Sequence, residues 1–160
     1  MVVYRPVVIT EPRDGQRPLT SNEGPQTQLT QQSSPELWGQ LAARAFALDG
    51  VIEGHSQVSL ASSRAVFLSD QADERATGTS LAPGQRLEPL HLHGVFDTSL
   101  HVCLPPERGQ ALTALGWGEP HQYEEFGTEF MIYGPRTTSE LDVVVSIIEE
   151  SIAFARGTQR

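Results

Sequence analysis

A chain of 160 residues with formal net charge −9 and a single cysteine has room for one domain with a modest core and cannot form an intrachain disulfide. The negative charge repels nucleic-acid backbones and anionic membranes, and the eleven basic residues are all arginines scattered along the chain, so neither partner is expected. No apolar run approaches the ~20 residues that span a bilayer, and the N-terminus lacks a basic n-region and cleavage site, which reads as a soluble, cytoplasmic protein.

The opening "VVYRPVVIT" reads as a strand that docks on the body or on a second subunit, so a homodimer is one arrangement it allows. Residues 11–33 are rich in Pro, Gly, Gln, Ser and Thr, with almost no apolar periodicity. Such a segment buries too little surface to offset its ordering entropy. Residues 1–32 are therefore expected to form a flexible arm ahead of one domain at 33–160.

The folded part begins at "SSPELWGQLAARAFALDG". Ser33 and Glu36 have capping-box spacing and Pro35 suits a first turn. Leu37, Leu41, Ala45 and Leu48 recur at helical spacing, and Gly50 is the expected stop. Residues 51–60 and 65–69 read as strands, and the polar, Gly- and Pro-containing stretch 71–89 as a long loop. "LHLHGVF" and "SLHVCLP" alternate apolar and polar residues around Asp97-Thr98, the pattern of a hairpin. "PPERGQALTALG" predicts a short helix, "WGEPHQYEEFGTE" a loop, and the apolar "FMIYGP" a central strand.

The last element has a second capping-box spacing at Thr137 and Glu140, an apolar stripe through Leu141, Val144, Val145, Ile148 and Ile152, and a stop at Gly157. Runs of strands flanked by helices predict an α+β domain of two layers, an antiparallel or mixed sheet with helices packed on one face.

Three of the five histidines lie in the hairpin stretch. If Leu90, Leu92, Leu100, Val102 and Leu104 face the core, then His91, His93 and His101 share the opposite face. Cross-strand neighbours stand ~5 Å apart, so three imidazoles can converge on zinc, iron or copper, with an open coordination position. Asp97, Glu88 or His121 would complete such a set. A hairpin alternating at the surface also generates H-x-H, and a solvated histidine face is the simpler reading of the pattern. The two stay open, as does acid/base use without a metal.

A cupin would carry H-x-H with a later carboxylate, but the terminal helix and the small number of strands exclude a jelly roll. Cys103 reads as a small packed residue rather than a thiol paired with His101. Ser59, Ser62 and Ser63 lack a nucleophile-elbow context, and no nucleotide-binding glycine motif or H-E-x-x-H occurs. Glu124, Glu125 and Glu129 read as a solvated cluster, and Trp117 as a packing anchor or the aromatic wall of a flat-ligand site.

From residue 88 onward, "HLHG…SLHVCLPPERGQALTALGWGEPH" followed by "MIYGPRTTSELDVVVSIIEESIAFARG" resembles the luciferase-domain family, over residues 88–157. The resemblance places His91, His93, His101 and His121 in segments the family shares, and Arg136 in its "YGPR" segment. It implies an oxygenase that adds O₂ to a flat hydroxypyrone-like molecule with no recognised cofactor.

The expectation is then an oxidoreductase for a flat aromatic or enolic small molecule. His91, His93, His101 and His121 would be catalytic, with the first three holding a transition metal such as zinc or iron if one is used. Arg136 would grip an anionic oxygen, and Trp117 and Tyr133 would stack on the ring. The alternatives are a non-catalytic small-ligand-binding protein, with an apolar pocket and the histidines outside it, and an interaction module acting through the N-terminal half.

Overall fold

A computed structural model describes residues 9–21, 23–71, 78–122 and 126–158. Helix α1 (Pro35–Phe46) leads into strands β1 (Val51–His55), β2 (Arg64–Leu68), β3 (Leu90–Leu92) and β4 (Leu100–Cys103). Helix α2 (Pro106–Ala114), β5 (Gly118–Pro120), β6 (Glu129–Ile132) and the long helix α3 (Thr138–Arg156) complete the chain. The sheet runs β1-β2-β3-β4-β6-β5 and every neighbouring pair is antiparallel. The fold is the expected α+β arrangement.

The hairpin register sorts side chains between the two faces of the sheet. Leu90 lies opposite Val102, His91 opposite His101, and Leu92 opposite Leu100. Directly opposed residues project to the same side, so leucine and valine take one face and histidine the other. On the apolar face, Leu90, Leu92, Leu100, Val102 and Ile132 join Leu41 and Ala45 of α1 and Leu141, Val144 and Ile148 of α3 in one core. Leu90, Leu92 and Leu100 have no solvent exposure. Burial of each stabilises the fold by about 1.5–3 kcal/mol. Helix α2 lies on the same face, where a Cβ at Gly109 would stand 2.1 Å from the Phe130 ring, so only glycine allows that approach.

Several boundaries differ from the sequence expectation for identifiable reasons. The N-cap of α1 is Ser34, whose Oγ accepts from the Leu37 N–H, while Ser33 is buried and donates to the Pro135 carbonyl. The helix stops at Phe46, and Gly50 instead takes a left-handed φ of 74° in the turn entering β1. The strand expected over 51–60 ends at His55, because residues beyond it turn over the sheet. Gly118–Pro120, read as loop, pairs with β6 as an edge strand, so β6 is paired on both sides. The caps of α3 at Thr137 and Gly157 agree with expectation. Residues 1–8 of the expected opening strand, and Glu124 and Glu125, fall outside the described residues. No helix among the described residues is long and apolar enough to cross a membrane.

Among the described residues no helix covers the histidine face. Coil covers it instead: residues 23–32, the β1–β2 connection and the chain before β3. Three residues expected to bind substrate hold the N-terminal segment down. Trp117 Nε1–H donates to the Glu11 carbonyl, and Arg136 donates to the Asp14 carbonyl and to Gln31 Oε1. Tyr133 meets Arg17 and donates its hydroxyl to Glu119. Gly134 lies where a Cβ would come within 2.4 Å of the Thr98 carbonyl, and its N–H donates to Gln28 Oε1.

On the helix side, Arg108 of α2 forks onto Glu150 of α3 at 3.0 and 3.1 Å, and the Glu150 side chain is 1% exposed. Burial pushes the Glu150 carboxyl above its ordinary range, and Arg108 opposes that only in part. A carboxyl with a raised folded pKa contributes its full stability at low pH and loses it as pH rises through that pKa. Glu150→Gln is therefore expected to flatten the fall in melting temperature between acid and neutral pH. Arg108→Ala should cost about 3 kcal/mol at pH 7, since it leaves a buried charge unpaired. Denaturant melts of the two variants across pH check both.

Candidate metal centre

The three hairpin histidines are buried rather than wet: His91 is 2%, His93 6% and His101 5% exposed. They converge. His91 Nε2 lies 3.3 Å from His101 Nδ1, and His93 Nε2 lies 3.2 Å from the same atom. Two nitrogens about 2.1 Å from one ion, at angles of about 100–110°, stand about 3.2–3.4 Å apart. The observed separations have that span.

The other nitrogens of the rings fix where the protons sit. His91 Nδ1 is 2.8 Å from Glu88 Oε2, a fully buried carboxylate that also accepts from Ser56 Oγ and the Gln57 N–H. His93 Nδ1 is 2.8 Å from Asp97 Oδ2 and 2.9 Å from Ser99 Oγ, and Ser99 donates its own hydrogen to Asp97 Oδ1. Both histidines face only acceptors on that side, so both carry Nδ1–H and present an Nε2 lone pair inward. A serine–carboxylate–histidine chain is thus built twice around one point.

Neutral rings suit this site. Burial, reinforced by the neighbouring histidines, holds His101 well below the ordinary imidazole range. Burial also lowers His91, outweighing its bond to Glu88. For Glu88 and Asp97 burial opposes ionisation, but the hydrogen bonds they accept win and hold both carboxyls below their usual range. The result is an anion behind each of His91 and His93, the support that metal-bound histidines commonly receive.

A cavity of about 960 Å³ opens above this cluster. His91, His93, His101, His121 and Glu129 line its polar part, and Leu29, Val58, Leu60, Val95 and Phe96 its apolar part. The size suits a small organic molecule. The His121 ring centroid lies 4.7 Å from that of His101, and His121 Nε2 is 3.6 Å from Glu129 Oε1. His101, His121 and Glu129 form a second group with ligand spacing.

Four of the sequence-predicted residues, His91, His93, His101 and His121, therefore come together, while Arg136, Trp117 and Tyr133 lie away from the cavity against the N-terminal segment. Glu88 and Asp97 stand behind the histidines as orienting groups. Cys103 is buried on strand β4, and Ser59 shares a hydrogen bond with Ser63 at 2.7 Å. Gln26 and Gln28 were not visible as site residues. They sit in a polar stretch without periodicity, and only the folded chain brings them over the sheet.

The comparisons with known proteins bear on this same region. Residues 86–151 match the family model described as Luciferase domain, and the luciferase of Armillaria mellea is 32% identical over 161 aligned residues, 89% of this chain and 60% of that protein. The chain is similar to the luciferase-domain family. The luciferase of Armillaria gallica is 31% identical over 160 residues, again 89% of this chain and 60% of that protein. That of Neonothopanus nambi is 34% identical over 73 residues, 42% of this chain and 27% of that protein. The chain thus spans about 60% of the length of the two Armillaria luciferases. No solved structure matches it. The luciferase-domain match contains all four converging histidines together with Glu88 and Asp97.

Proposed function

We propose that this protein binds one divalent first-row transition ion at His91, His93 and His101 and acts as an oxygenase on a flat enolic or phenolic small molecule. The observation that carries the proposal is the convergence of the three imidazoles. An acceptor facing only acceptors in a buried site costs about 1–3 kcal/mol. A cation turns that cost into a ligand set.

Zinc and iron both accept three imidazoles and keep an open position. An ion held by His91, His93 and His101 would supply positive charge for the enolate or phenolate oxygen of a bound substrate. His121, paired with Glu129 at the cavity wall, takes the substrate proton. The anion's carbon then gives an electron pair to O₂ as a carbon–oxygen bond forms, so carbon is oxidised and O₂ reduced to the peroxide level, and the apolar wall excludes water from it.

The relatives' name supports oxygen chemistry. The position of the histidines supports it over ligand carriage alone, because a mere carrier needs no imidazoles inside its pocket. Elemental analysis of protein purified without chelators is expected to give about one equivalent of metal, lost in His91→Ala and His93→Ala. No metal in native protein, together with no change in melting temperature on adding zinc, iron, cobalt or manganese, would overturn the proposal.

A further inference from the structure

His101 belongs to both ligand groups, and it has one lone pair to give. The groups are His91, His93 and His101 on one side, and His101, His121 and Glu129 on the other. Nδ1 is the atom that His91 and His93 approach, so the three-histidine group forms only if His101 carries its proton on Nε2. His91 and His93 are each fixed by a carboxylate. His101 meets an amide instead: its Nε2 lies 3.1 Å from Gln26 Oε1.

A glutamine end is either a donor or an acceptor, so its orientation matters. Here the fold sets it. The Gln26 side-chain nitrogen is 3.2 Å from Glu119 Oε2 and 3.2 Å from the Pro120 carbonyl, both of which only accept. The amino group must point at them, which leaves the oxygen facing His101. Glu119 is fixed in turn by hydrogen bonds from Thr20 and the Tyr133 hydroxyl. Gln26 itself is 2% exposed and contributed by coil that ends up over the sheet.

We infer that Gln26 is a positioning residue that holds His101 as the Nε2–H tautomer, so that its Nδ1 lone pair joins those of His91 and His93. The inference deepens the proposed metal site and rests on it for its consequence, though not for the tautomer itself. With Nε2–H committed to Gln26, the one His101 lone pair sits on Nδ1, the atom that His91 and His93 approach. One ion binds, and His121, at the cavity wall, lies outside its three-histidine ligand set. Without the amide oxygen, His101 can protonate at Nδ1 and donate to His91 or His93 Nε2, which fills the cluster with a hydrogen bond and blocks the ion.

Gln28 works beside it through the backbone. Its N–H donates to Asp97 Oδ1 at 2.9 Å, and Asp97 orients His93. One short segment therefore reaches two of the three histidines.

The tautomer can be read directly, without metal or substrate, from long-range ¹H–¹⁵N correlation spectra of chelator-treated protein at neutral pH. Wild-type His101 is expected to show the Nε2–H pattern, and Gln26→Leu to lose it. Gln26→Glu, which keeps an acceptor, should retain it. Cobalt titrations of the same three proteins should then give one equivalent for wild type and Gln26→Glu, and at least about tenfold weaker binding for Gln26→Leu. Nδ1–H at His101 in the wild type, or an unchanged Nε2–H pattern in a folded Gln26→Leu, overturns the inference whatever the metal result. A correct tautomer with no cobalt binding in wild type would instead overturn the metal site alone and leave the role of Gln26 in setting the tautomer standing. If Gln26→Leu does not fold, the wild-type spectrum still decides.

Discussion

His101→Ala is expected to weaken cobalt binding at least about 100-fold while leaving the protein folded. His101 Nδ1 is the atom both other histidines approach, at 3.3 and 3.2 Å, so its removal takes away one of three ligands and the centre of the cluster. The loss should exceed the ~10–100-fold that follows disruption of an orienting partner alone. The ring lies on the coil-covered face and outside the helix-packed core, so the leucine and valine core is untouched. Stability should fall modestly, through the small cavity left behind and a Gln26 oxygen without a donor.

Two controls make the result specific. His55→Ala removes an exposed histidine at the end of β1 and should change nothing. His121→Ala should keep one equivalent of metal and lower turnover, since it sits at the cavity wall and outside the three-histidine set. Absorbance and calorimetric titrations with cobalt measure all three. Undiminished binding in His101→Ala would remove the three-histidine site from consideration.

The histidine face was legible in the sequence because a strand's period of two is strict. Once Leu90, Leu92, Leu100 and Val102 are assigned to a core, His91 and His101 have nowhere to go but the other side. The alternation did not reveal whether that face met water, because burial there depends on coil. Gln26 covers His101 through a contact 75 residues away in sequence, in a segment with no periodicity to read.

The same limit hid β5. Gly-Glu-Pro has no strand propensity, and its pairing with Phe130, Met131 and Ile132 comes from the partner strand. Trp117, Tyr133 and Arg136 illustrate the converse. Aromatic and arginine chemistry suits either a flat ligand or a packed segment, and only the fold distinguishes Trp117 bonded to Glu11 from Trp117 stacked on a substrate. Glu88 and Asp97 were visible as carboxylates near the histidines. Their use as orienting groups required the observation that each meets an Nδ1 while the Nε2 atoms point inward.

Deletion of residues 1–32 tests how much the site depends on that coil. The helix-packed core should survive: α1 begins at Pro35 with its own cap at Ser34, and among the described residues Ile9 is what the deleted segment contributes to the main apolar cluster. The opposite face loses much more. Gln26 leaves His101, the Gln28 N–H leaves Asp97, and the bonds from Arg13, Arg17, Trp117 and Arg136 to or from the segment all disappear. Several buried polar groups are stripped of partners or opened to water at once, each worth about 1 kcal/mol. We expect a melting temperature lower by about 10 °C, corresponding to roughly 3 kcal/mol in a chain of this size. Cobalt affinity should fall at least about tenfold, since the His101 tautomer is no longer set and water enters the cluster. Adding a synthetic peptide of residues 9–32 should recover part of both. A truncated protein with wild-type melting and wild-type cobalt affinity would mean that the segment is a passive cover, and that the three imidazoles are held in place by the hairpin and its two carboxylates alone.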